Sequence, residues 1–166
     1  FRSKPREYIF SDISSEMLEL AKNKLKSYDI SHRSILLERN NILPIEDQSI
    51  DIVLSFYSLE HMYPLNNFLE DTSRVLKSGG IFAGCIPTEG GLAWGLGRMM
   101  TSRRWLKKNT NIDPDKIICW EHPNYSDDII SGLNKYFIRH KLSLWPLPFL
   151  PSIDSNLVIK FIYKKK

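Results

Sequence analysis

Three short stretches carry side chains suited to chemistry. In EYIFSDISSEML (residues 7–18) a short apolar run ends at Asp12, and a helix-forming pattern begins just behind it. An ionised carboxylate at that place accepts two hydrogen bonds, which suits the vicinal hydroxyls of a ribose. An aspartate in front of a helix also caps the turn, and the residue alone leaves both readings open. The second stretch is LEHM (59–62), where His61 follows an apolar strand and either serves as a base or lines a pocket. The third is CWEHPNYS (119–126), where His122 stands beside Glu121 and near Tyr125. A glutamate–histidine pair over a pocket is an acid/base device, and a solvated loop histidine is the plainer alternative. Cys119 and His122 have a metal-like spacing, but no second Cys/His pair accompanies them, so no metal is expected. There is no GxSxG, P-loop or HExxH pattern to suggest a nucleophile or a metal hydrolase.

The elements that must position these residues follow from pattern. Glu7–Phe10 reads as a strand, and Ser14 can cap a helix over 15–27 in which Met17, Leu18, Ala21 and Leu25 share a face. Ser34–Glu38 is a second strand. IDIVLSF (50–56) is almost continuously apolar, which predicts a strand buried on both faces, with Val53 and Leu54 in the core. Pro64 marks a helix start, and Leu65, Phe68, Leu69, Thr72, Val75 and Leu76 recur at helical spacing. Gly79-Gly80 is expected to stop that helix before the strand IFAGCI (81–86). Residues 88–125, with a helix predicted near 91–107, are too long for a plain connection and read as an insertion or lid over the functional edge. A short helix over 126–134 and strands at 136–144 and 156–163 close the chain. The alternation of strand and helix predicts a single α/β domain. Its sheet is mostly parallel, with helices on both faces and an antiparallel C-terminal strand.

Bulk properties narrow the class. The length of 166 residues suits one domain, and 42% hydrophobic with 25% charged residues is a globular balance. The net charge of +4 is modest, and nothing in it asks for nucleic acid. RMMTSRRWLKK (98–108) holds five basic residues and no acid. It is either a solvated face or a patch for an anionic acceptor or a peripheral membrane contact. The two cysteines, Cys85 and Cys119, are far apart, which suits reduced thiols and a cytoplasmic setting. The opening FRSKPREY has neither an apolar run nor an initiator Met, as expected of a fragment or processed chain.

Taken in order, DISSEML, NNILPIEDQSIDIV, LEHM and RVLKSGG resemble the motifs of the class I S-adenosylmethionine-dependent methyltransferases, in particular the small-molecule group. That family's pattern runs roughly D-x-S-x-x-M-L, D-x-x-x-L-P-F-x-D-x-S-F-D-x-V, L-x-H, R-x-L-K-P-G-G. The resemblance covers residues 7–87. Asn41 (or Asn40) stands where the family has Asp, and Ser78 replaces a proline. The likeness implies a Rossmann-like fold with S-adenosylmethionine as cofactor. It casts Asp12 as the ribose carboxylate and Ile13 and Met17 as the apolar adenine wall. Asn41 and Ile42 become the adenine-edge contacts, and Ser55 and Phe56 face the methionine part. His61 and His122 are the candidate bases. Such families carry a glycine-rich loop about 20 residues before the ribose carboxylate, so the resemblance implies a chain truncated at its N-terminus. A sheet short of a strand invites pairing with a second copy. The function expected is methyl transfer to a small-molecule or glycan-like acceptor, with anionic sugars and lipid-linked acceptors as candidates. The alternatives are a truncated, non-catalytic module of the same fold and, less in keeping with the motifs, a nicotinamide-dependent oxidoreductase.

Overall fold

The computed structural model describes residues 5–28, 30–37 and 42–166. The chain divides into two compact units, 1–45 and 46–166.

The first unit is a strand–helix–strand. β1 (Tyr8–Asp12) and β2 (His32–Leu36) pair in parallel from Tyr8↔His32 to Asp12↔Leu36. Parallel neighbours need a crossover, and α1 (Ser15–Lys26) supplies it. Ser14 starts α1 as expected: its hydroxyl accepts from the Met17 N–H at 3.3 Å. Glu16 lies in the first turn and Lys24 and Lys26 in the last, each at the end that the helix dipole favours. Leu18 is the one residue of α1 that is fully buried.

The second unit is built on a four-stranded sheet of order β3-β4-β6-β5. β3 (Ile50–Phe56) and β4 (Leu76–Pro87) run parallel. β6 (Val158–Lys165) is antiparallel to both β4 and β5 (Phe137–Trp145), the expected antiparallel closing strand. α2 (Leu65–Val75) and α6 (Ser126–Tyr136) bury Leu65, Phe68, Leu69, Ile129 and Leu133 against Phe82, Ile86, Phe137, Ile159, Phe161 and Tyr163 of the sheet. Phe82 touches both Phe137 and Phe161, with ring centroids 5.4 and 5.5 Å apart. Gly132 lets α6 lie close to α2, since a methyl group there would come within 2.7 Å of Leu69.

Three expectations are corrected. β3 is not buried on both faces. Val53 packs against the core, but Ile52, Leu54 and Phe56 face away from α2 and α6, and Leu54 is 46% exposed. Continuous apolarity could not reveal that only one face of the strand meets the helices of its unit. Gly79-Gly80 does not stop α2, which ends at Val75 and passes directly into β4. The glycines instead bulge out of the ladder, where the register steps from Ile50↔Leu76 to Ile52↔Ile81. Gly79 takes φ +70°, a left-handed conformation that glycine adopts without strain. The helix expected over 91–107 is two helices, α3 (Leu92–Met100) and α4 (Ser102–Asn109), broken at Thr101. α5 (Pro114–Glu121) follows, started by the Asp113 cap and Pro114.

Candidate functional site

The carboxyl ends of the strands are where an open α/β sheet presents its chemistry. In the first unit Asp12 is the last residue of β1, and its Oδ1 accepts from the Ser14 N–H at 2.8 Å. One oxygen thus caps the turn. A carboxylate has about four acceptor sites, so capping does not exhaust it. Ile13 and Met17 are exposed around that turn, and Ile42 is exposed as well. Asn41 lies outside the described residues.

In the second unit Ser55 and Phe56 end β3. Ser55 is buried and its Oγ has no hydrogen-bond partner among the described residues, an arrangement that costs free energy unless a group is supplied to it. Its carbonyl oxygen approaches β4 so closely that only glycine fits at position 84: a Cβ there would lie 1.8 Å away. Phe56 turns the other way and, with Tyr57, lines an apolar cavity of about 500 Å³ whose walls include Cys85, Trp145 and Lys160. Tyr57 has φ 51°, a strained conformation for a bulky side chain and one that recurs at functional sites.

A short 3₁₀ turn, Leu59–His61, carries His61. Leu59 is fully buried and anchors it. Asn124 ties the turn to the far end of the 88–125 segment: its amide donates to the carbonyls of Leu59 (3.0 Å) and Met62 (2.6 Å). His61 and His122 are thereby brought together, with ring centroids 4.5 Å apart and planes nearly perpendicular. His61 Nδ1 lies 2.6 Å from the carbonyl oxygen of Glu121. A carbonyl only accepts, so Nδ1 carries the proton, and Nε2 of the neutral ring holds the lone pair.

His122 has a stronger partner. Its Nδ1 is 2.5 Å from Oε2 of Glu89. Glu89 is 6% exposed and follows β4, and Arg98 of α3 lies 3.9 Å from its other oxygen. The bond to Glu89 holds the His122 pKa above the usual histidine range, against the opposing effect of burial. The backbone around Glu89 is well fixed. Thr88 Oγ1 donates to the Asn156 carbonyl at 2.6 Å, and Ser126 Oγ donates to the Glu89 carbonyl at 3.1 Å. Glu121, the neighbour that sequence reasoning pairs with His122, is exposed; its carbonyl faces His61, and its charge adds a lesser push to the His122 pKa than Glu89 does. Glu89 and Asn124 were missed. Both are remote in sequence from their partners, and the only visible hint was the EGG turn after the strand.

Glu60 is 2% exposed, and its Oε2 has no hydrogen-bond partner among the described residues. Burial pushes its pKa up. Such a carboxyl favours the folded state most below pH 4.5, and that advantage is lost as pH rises through the raised native value. Glu60→Gln is therefore expected to stabilise the protein at neutral pH by on the order of 1 kcal/mol, with the gain vanishing in acid. Urea unfolding at the two pH values checks this, and an equal effect at both would contradict it.

Among the described residues no cluster of His, Cys, Asp or Glu could hold a metal ion. Cys119 is exposed on α5. No described helix is long and apolar enough to cross a membrane.

A parallel strand–helix–strand unit and a mixed four-stranded sheet with packed helices are the elements of a Rossmann-like α/β fold. The comparisons make the class particular. A family model described as "Methyltransferase domain" matches residues 2–84, half of the chain, and the chain belongs to that family. S-adenosylmethionine is the cofactor of this class. A demethylmenaquinone methyltransferase of Tropheryma whipplei (strain Twist) is 37% identical over 75 residues, which is 45% of this chain and 30% of that protein. The matched part is thus under a third of the relative's length. Among solved structures, the PH0226 protein of Pyrococcus horikoshii OT3 superposes with a TM-score of 0.66 at 18% identity, covering 96% of this chain and 72% of the other. The N-methyltransferase NodS of Bradyrhizobium japonicum WM9, solved with S-adenosyl-L-homocysteine, gives 0.61 at 13% identity, over 95% and 65%. At these identities the likeness concerns the fold.

Proposed function

We propose that the chain serves S-adenosylmethionine-dependent methyl transfer to a hydroxyl of a small-molecule or glycan-like acceptor. The observation that carries this reading is the buried Glu89–His122 pair set edge-on to His61. The residues present fit the cofactor. Asp12 keeps acceptor capacity beyond its cap and would hold the ribose, with Ile13, Met17 and Ile42 offering apolar surface to the adenine.

The cofactor supplies a methyl group already activated by its sulfonium, so the protein needs no nucleophile of its own. What remains is to align the acceptor and take its proton. His122 is the base. Its Nδ1 proton is committed to Glu89, so the acceptor proton goes to Nε2, and the resulting imidazolium is stabilised by the carboxylate. His61, held through Nδ1 by the Glu121 carbonyl and set edge-on to His122, is a positioning group that fixes the base's ring.

The test of the cofactor reading is calorimetric titration with S-adenosylhomocysteine and, in parallel, with NAD. Binding of the first and not the second is expected. The reverse result would make the chain an oxidoreductase-type module, and binding of neither would leave a scaffold.

A further inference from the structure

Outside the acid/base cluster, the most distinctive surface is that of α3 and α4. Helices of water-facing proteins turn their polar side outward. α3 does the opposite: Leu92, Leu96, Met99 and Met100 recur at helical spacing on its solvent side, and Met100 is 67% exposed. α4 continues the surface with Trp105, which is 60% exposed, and with Arg104, Lys107 and Lys108. From Gly90 to Ile112 the sequence holds five cations and no acid. Arg103 is bound to Asp115 at 2.6 Å, and Arg98 faces Glu89. Arg104, Lys107 and Lys108 are exposed, and no ion pair among the described residues holds them. An exposed apolar stripe continued by unpaired cations and a tryptophan is the make-up of a helix that lies in a bilayer interface.

We propose that the α3–α4 face docks on an anionic lipid surface. The apolar side chains of α3 and the Trp105 ring enter the headgroup region, while Arg104, Lys107 and Lys108 meet lipid phosphates. Charge complementarity selects the occupant: a second copy of this basic face would repel it, and an uncharged apolar partner would leave three cations unpaired. The proposal stands independently of methyl transfer.

Co-sedimentation of the protein with vesicles tests it. Vesicles of phosphatidylcholine with one-third phosphatidylglycerol are expected to bind, pure phosphatidylcholine vesicles only weakly, and binding should fall as salt rises above about 0.1 M. Reversing the three charges (Arg104→Glu, Lys107→Glu and Lys108→Glu together) should weaken binding by about 10²-fold or more. Trp105→Ser should weaken it without changing its salt dependence. These positions are exposed, so the variants should keep the parent's circular dichroism. No binding to anionic vesicles, or equal binding by the charge-reversed protein, would overturn the proposal. Tighter binding to a DNA duplex than to the vesicles at the same salt would also overturn it.

Discussion

Turnover of His122→Ala is expected to fall by ~10²–10⁴-fold, with the affinity for S-adenosylhomocysteine unchanged. A positioned base contributes a factor of this size, and removing it leaves ground-state binding of the cofactor alone. The pH dependence gives a sharper reading. A base must be deprotonated to work, and Glu89 raises the His122 pKa, so the rate should climb with pH above the usual histidine range. Glu89→Gln keeps the shape and removes the charge, so its rate limb should move to lower pH while the maximal rate falls. The same bond has a sign in stability. The imidazolium–carboxylate pair stabilises the fold fully below pH 6.5 and is lost as pH rises through the raised native value. His61→Ala distinguishes the roles. Its ring bonds to a carbonyl rather than a carboxylate, and as an orienting group it should cost less than His122 does. A His122→Ala protein within a few-fold of the parent, with His61→Ala crippled, would reverse the assignment. In that case His61 is the base.

The second large effect is expected at Asp12. If its free acceptor sites hold the ribose hydroxyls, Asp12→Ala removes two charge-assisted hydrogen bonds, each worth ~1.5–3 kcal/mol. Affinity for S-adenosylhomocysteine should then drop by about 10²-fold or more. Alanine also removes the cap on the Ser14 N–H, which would loosen the start of α1. Asp12→Asn separates the two effects: its amide oxygen can still cap the turn, but the charge is gone. An intermediate loss for Asn with unaltered helicity assigns the effect to the ligand. Unchanged affinity in Asp12→Ala would falsify the ribose role and leave Asp12 as a turn cap.

Much of the frame was legible because local pattern and tertiary role agree. EYIFSD, IDIVLSF and IFAGCI became β1, β3 and β4, and the closing strands β5 and β6 overlap the spans expected for them. The Ser14 cap needed nothing beyond its neighbours. What failed depended on partners. Leu54 is apolar in an apolar strand, yet which face meets α2 and α6 is a property of the packing. The glycines at 79 and 80 have the composition of a helix stop, and the same freedom serves a bulge four residues past the helix end. The break at Thr101 has no glycine or proline to announce it. In the site, His61 and His122 could be picked by type, but Glu89 and Asn124 act across the fold.

The bond from His61 to the Glu121 carbonyl closes a loop of 60 residues, and the Asn124 amide closes loops of similar span. Contacts that far apart in sequence form late, because the entropy of closing the loop is lost before they return anything. In a nascent or partly unfolded chain His122 is an ordinary imidazole, without the neighbours that raise its basicity. The raised basicity of His122 is thus tied to completion of the second unit, and an unfinished chain carries the residue without it.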